Sequence, residues 1–176
     1  MTQRLVMSGH DIDLAIQRIA LQILEKNHEG TGLALVGIHT CGVYVARRIH
    51  DKISAQLGRS VVFGSLDINL YRDDWSLKSQ NPVVKTTDIS FAVDGTNLVL
   101  VDDVIFTGRT IRAAMDAIID YGRPKTIQLA ALVDRGGREL PIQPDFVGMT
   151  VGVLANERIT VLLDPQGTSG EVVVES

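Results

Sequence analysis

LVLVDDVIFTGRT, residues Leu98 to Thr110, is an apolar run that ends in two adjacent aspartates and then a turn rich in hydroxyls and glycine. Leu98 to Val101 reads as a buried strand. Behind it, Ile111, Ala114, Met115, Ile118 and Ile119 recur at helical spacing, with a stop near Gly122 and Pro124. Asp102 and Asp103 therefore fall where the backbone leaves a sheet, and Thr107, Gly108, Arg109 and Thr110 form the turn into the helix. The first N–H groups of a helix lack partners within it, and the aligned peptide dipoles add positive charge at the same end. Gly108 permits close backbone approach and the threonines add donors, so the turn suits a single phosphate. The acids would repel that phosphate unless they face sugar hydroxyls, a hard cation such as Mg²⁺, or both. A helix cap explains one acid and leaves the second without a reason. A ribose 5-phosphate meets all of these demands.

The same alternation extends to both sides. Leu33 to Ile38 is a short apolar strand, Val43 to Leu57 a helix, and Leu66, Ile68 and Leu70 alternate as a strand does. Ile127 to Val133 is a further strand. Weaker strand signals occupy Phe146 to Val153, Ile159 to Leu163 and Val172 to Val174. The order predicts an α/β fold, a mainly parallel sheet flanked by helices, with ligands beyond the carboxyl ends of the strands. At 176 residues the chain is expected to form a single domain, 1–176, whose segment 150–176 carries the weakest pattern. Ser8 and Asp11 have capping-box spacing ahead of a helix whose core stripe is Ile12, Ala15, Ile16, Ile19, Ala20 and Ile23. Leu14 and Leu21 project from its other side, which predicts a homodimer or higher homo-oligomer.

Net charge is −4, so DNA is not an expected partner, and no uncharged run reaches the roughly 18 residues a membrane span needs. A lone cysteine, Cys41, and an N-terminus without an apolar signal core predict a cytoplasmic protein. Residues 71–90 are polar and aperiodic, and are expected to form a flap able to close over a site, with Asp73 and Asp74 as turn acids. Gly37 to Gly42 is a second strand-to-helix turn with a glycine at each end, and so a second place for an anion.

The pattern of four apolar residues, two acids, two apolar residues, one variable position and TGRT resembles the phosphoribosyl pyrophosphate (PRPP) signature of type I phosphoribosyltransferases. LVGIHTCGVYVARRI, DINLYRDD, DDVIFTGRTIRAAMDAI and GRPKTIQLAALVDRGGRELPI together resemble the PyrR family of pyrimidine-operon attenuators with uracil phosphoribosyltransferase activity. The resemblance runs from about Ile12 to Gly148. It implies a type I phosphoribosyltransferase-like fold with a flexible flap and a small hood. It also implies catalytic and PRPP-binding roles for Asp102 and Asp103, which would hold the ribose hydroxyls, and a 5-phosphate cradle from Thr107, Gly108, Arg109 and Thr110. Thr40, Cys41 and Gly42 would form the pyrophosphate turn, Arg72 and Lys85 the flap contacts, and Val133, Asp134 and Arg135 the base side.

Cys41 departs from the family, whose members commonly carry Arg between Thr and Gly in this turn. A thiol near a helix start is open to activation, but the implied transfer needs no covalent enzyme intermediate, so Cys41 reads as a small turn residue and His39 as a turn histidine. Phe106 occupies a position where purine-salvage relatives usually place an acid, which fits a pyrimidine. The implied reaction converts uracil and PRPP to UMP and pyrophosphate, with Mg²⁺ carried by the substrate and near Asp102 and Asp103. The resemblance also implies binding of pyrimidine-operon leader mRNA, favoured by UMP or other uridine nucleotides, with Arg18, Lys26 and Arg138 as basic candidates beside Arg135 and Arg158. Two alternatives stay open: a nucleotide-sensing attenuator with little enzyme activity, and a PRPP-binding protein with neither activity.

Overall fold

The computed structural model describes residues 2–28, 30–73, 85–166 and 169–176. Five parallel strands build the main sheet: β2 (Leu33–Ile38), β3 (Val62–Leu66), β4 (Asn97–Ile105), β5 (Thr126–Asp134) and β6 (Phe146–Thr150), in the order β3-β2-β4-β5-β6. Helices α1 (Gly9–Lys26) and α2 (Cys41–Leu57) cover one face, and α3 (Arg109–Ile119) covers the other. A strand buried on both faces must be apolar throughout. Accordingly Val99 and Val101 of β4 join the α1 and α2 core, while Leu98 and Leu100 join the α3 core.

Helix α1 starts at a complete capping box, in which Ser8 and Asp11 each bond the other's backbone N–H. Its buried residues are the expected stripe plus Leu24, and Leu14 and Leu21 are each 50% exposed. The C-terminal segment forms β7 (Arg158–Leu163) and β8 (Gly170–Glu175), paired antiparallel. A strand with no sequence signal, β1 (Gln3–Met7), pairs antiparallel with β8 to complete a separate three-stranded hood.

The alternation at Leu66, Ile68 and Leu70 is not a strand. β3 ends at Leu66, and Asn69–Tyr71 is a 3-10 turn whose Asn69 N–H donates to Asp67 Oδ1 at 2.9 Å. That side-chain bond competes with extension of the strand, and Leu70 is left 67% exposed. β6 likewise stops at Thr150 rather than Val153. Of the expected flap, residues 74–84, including Asp74, lie outside the described residues.

Candidate active site

Strands β2 and β4 are hydrogen-bonded neighbours from which the chain proceeds in opposite directions, to β3 on one side and to β5 on the other. Such a reversal opens a crevice beyond the carboxyl ends of the strands. The two turns singled out in the sequence leave from these two strands, so topology alone brings them together.

The first turn follows β4. Gly108 caps α3 with φ 94°, a left-handed conformation that favours glycine. Thr107 Oγ1 accepts the Arg109 N–H at 3.3 Å. The Thr107 carbonyl accepts N–H groups of Glu139 and Leu140 at 2.9 and 3.2 Å, which ties the turn to the loop after β5. Asp102, Phe106, Thr107, Gly108, Arg109 and Thr110 share a cavity of about 430 Å³ with Arg72, Asp73 and Glu139. The Arg109 guanidinium reaches Glu139 Oε2 at 2.7 Å and Asp73 Oδ2 at 2.5 Å, and these bonds raise its pKa. Its side chain thus binds acids at the rim of the cavity.

The second turn follows β2. A Cβ on Gly42 would lie 2.8 Å from the Val101 carbonyl oxygen and 3.1 Å from Asp102 Cα. Glycine is what lets this turn rest against the strand that carries the acids. Lys85 Nζ donates to Thr40 Oγ1 at 2.7 Å. Cys41 Sγ approaches the Val161 carbonyl of the hood at 3.6 Å. Burial pushes the Cys41 thiol pKa up, and the charges of Asp103 and Asp102 push it further, against a smaller opposing effect of Lys85.

Asp102 is 6% exposed. Burial raises its carboxyl well above the usual range, and the neighbouring Asp103 charge adds to the rise, while Arg72 acts in the other direction. A carboxylate so placed is an incomplete ion pair, suited to a cationic or hydroxyl-bearing ligand. Among the described residues no three His, Cys, Asp or Glu side chains gather as a metal cage.

Beyond β5 lie the residues expected on the base side. Val133 is fully buried. The Arg135 guanidinium stacks 3.8 Å from the Phe106 ring centroid. A Cβ on Gly137 would lie 2.6 Å from the same ring, so glycine admits it closely. Arg138 donates to both carboxylate oxygens of Asp134 and to the carbonyls of Phe106 (2.9 Å) and Ile142 (2.7 Å). Burial opposes ionisation of Asp134, but Arg138 and the Gly136 N–H outweigh it and hold the carboxyl below its ordinary value.

Residues 7–162 match the phosphoribosyl transferase domain. The bifunctional protein PyrR of Syntrophobacter fumaroxidans is 51% identical over 172 residues, covering 98% of this chain and 92% of that one. Its counterpart in Thermoanaerobacter sp. (strain X514) is 53% identical over 169 residues, covering 96% and 95%. The chain belongs to the PyrR family. Among solved structures, a hypoxanthine phosphoribosyltransferase of Trypanosoma cruzi superposes with a TM-score of 0.72 at 17% identity, over 98% of this chain and 91% of that one, a likeness of fold.

Three of the basic residues considered for RNA in this PyrR-family chain, Arg18, Lys26 and Arg138, have partners within it. Arg18 donates to the carbonyls of Gly148 and, at 3.4 Å, Val147, and Lys26 pairs with Asp145 at 2.6 Å, so both fasten α1 to β6 and its approach. Arg138, with a side chain 12% exposed, is held within the loop after β5. Sequence reasoning passed over Glu139, which joins Arg109 at the cavity rim, and Asp67, which was quoted within DINLYRDD without a role. The available signal for Asp67 was an acid set between two core residues, Leu66 and Ile68.

Proposed function

We propose that this chain transfers ribose 5-phosphate from PRPP to uracil, giving UMP and pyrophosphate, and that uridine nucleotide in the same pocket promotes binding to pyrimidine-operon leader mRNA. The observation that carries the reading is the cavity in which Asp102, Phe106 and the Thr107–Thr110 turn meet, beside the Gly42 turn, in a PyrR-family chain. Two anion turns on neighbouring strands suit a ligand phosphorylated at both ends, as PRPP is. Thr107, Gly108, Arg109 and Thr110 take the 5-phosphate, and Thr40, Cys41 and Gly42 take the pyrophosphate with Lys85 and Arg72 beside them. Phe106, Val133, Asp134 and Arg135 border the base.

Cleavage at the anomeric carbon leaves positive character on the ribose, so the chain's tasks are orientation, anion binding and exclusion of water. Asp102 and Asp103 hold the ribose hydroxyls and favour the sugar cation electrostatically. Asp102 and Asp103 would also lie near a Mg²⁺ ion carried in with PRPP, whose charge would favour departure of the pyrophosphate. Arg18, Lys26, Arg135 and Arg158 supply the basic face for the transcript. These substrates and the transcript put the work in the cytoplasm.

The test is pyrophosphate release from PRPP and Mg²⁺ with uracil, orotate, hypoxanthine or adenine offered separately. Turnover confined to uracil and lost in Asp103→Asn is the expected result. No turnover with any base, while UMP still binds, would instead favour a nucleotide-sensing attenuator.

A further inference from the structure

One buried acid joins the two limbs of chain beside the pyrophosphate turn. Asp67 is 9% exposed, and the proposed reaction gives it no task. Its Oδ1 accepts the Asn69 N–H, and its Oδ2 accepts the Lys85 N–H, from a residue on the far side of the polar segment. Its own N–H donates to Thr87 Oγ1 at 3.0 Å. Nearby, Ser65 and Asp88 exchange backbone bonds of 2.9 and 2.8 Å, and the Thr86 carbonyl accepts His39 Nε2–H at 3.1 Å. Residues 85–88 are therefore held in place by a set of hydrogen bonds to β3, Asp67 and His39. That placement leaves the Lys85 ammonium 2.7 Å from Thr40 Oγ1. Gly37 to Gly42 contains no Lys or Arg of its own, so a cation at this turn must come from elsewhere.

We infer that Asp67 is a positioning residue for the pyrophosphate end of the site: its carboxylate holds the Lys85 backbone, and through it the Lys85 ammonium, over Thr40. This rests on the phosphoribosyl-transfer reading. Asp67 touches no substrate. An ammonium on loosely held backbone would have to be ordered when the anion arrives, whereas one already fixed loses less freedom on binding. Asparagine at position 67 keeps one acceptor oxygen but turns an NH₂ toward the other backbone N–H, donor against donor.

The experiment compares Asp67→Asn, Lys85→Met and the double variant in two readouts: steady-state kinetics with uracil, and calorimetric binding of pyrophosphate with Mg²⁺. Each single variant is expected to raise KM for PRPP and Kd for pyrophosphate about tenfold, the loss of one charge-assisted hydrogen bond. In Asp67→Asn the uracil KM and kcat are expected to stay within about twofold, and the double variant to bind pyrophosphate no more weakly than the weaker-binding single one. A lowered melting temperature in Asp67→Asn with unchanged KM and Kd would reduce Asp67 to a fold residue and overturn the inference. Losses that multiply in the double variant would overturn it too, because Asp67 would then not act through Lys85. Wild-type protein that binds pyrophosphate but turns over no base would defeat the uracil reading alone, and the Kd comparison would still decide the role of Asp67.

Discussion

Arg138 grips both carboxylate oxygens of Asp134, at 2.9 and 2.8 Å, with the two side chains only 12% and 14% exposed. The same guanidinium holds the Phe106 carbonyl, so one ion pair ties the loop after β5 to the residue that opens the turn into α3. Removing one member of a largely buried pair strands the other. Arg138→Ala is expected to cost about 3 kcal/mol of unfolding free energy, read by denaturant titration. The uracil KM should rise about tenfold while the PRPP KM changes by less than about threefold. Equal losses for both substrates would place the loop's role elsewhere.

The pair also has a pH signature. The folded Asp134 carboxyl lies below its ordinary value, so its contribution is fully present above the unfolded pKa of about 4 and is lost as pH falls through the folded one. Acid titration of Asp134→Asn against wild type, followed by circular dichroism, should show the two stabilities converging below about pH 4. A gap that persists unchanged into that range would contradict the assignment.

Asp102 titrates with the opposite sign. Burial and Asp103 raise its folded pKa above the unfolded value, so its contribution to stability is greatest below the unfolded value and is lost as pH rises through the folded one. Asp102→Asn is expected to raise the melting temperature by about 3 °C at pH 8, with a smaller gain at pH 5, while abolishing turnover. A variant destabilised at every pH would mean that the Asp102 carboxylate is a net structural asset.

The main sheet was legible because buried parallel strands are apolar throughout and helix faces repeat locally, as Leu33–Ile38 and the α1 stripe show. The two strand-to-helix turns were legible because each combines a strand end, a glycine and a helix start within about ten residues. β1 was not: Gln3–Met7 has no alternation of its own and is a strand only because β8, at the other end of the chain, pairs with it. Leu66 to Leu70 misled because alternation was real in sequence while Asp67 redirected the backbone. The Asp67 link to Lys85 and the Glu139 link to Arg109 join segments distant in sequence, and no local pattern announces them.

Cys41 sits between the acids and the hood with its thiol pKa raised, first by burial. It should therefore react with iodoacetamide at pH 7.5 at least about tenfold more slowly than a free thiol of ordinary pKa. Cys41→Ser is expected to retain turnover within about threefold. Rapid alkylation at neutral pH, or loss of activity in the serine variant, would point to a thiolate with a chemical task.

Leu14 and Leu21 lie seven residues apart on α1, each half exposed beside Arg18. Paired apolar positions on a helix face suit a second copy of the chain. Light scattering of Leu14→Glu with Leu21→Glu should show a smaller assembly than wild type. Full assembly in that variant would move the interface to another face.

Affinity for the leader transcript should be modest, because few cations are at its disposal. Arg138 is committed inside its loop, Arg18 and Lys26 already bind β6 and Asp145, and the chain carries a net charge of −4. If Arg18, Lys26, Arg135 and Arg158 each meet one phosphate of a single strand, the logarithm of affinity should fall against the logarithm of salt with a slope of about −3. Fluorescence anisotropy of a labelled pyrimidine-leader RNA, with UMP present, measures both slope and affinity. A steeper slope from a nanomolar starting point would reveal a basic surface larger than these four residues provide.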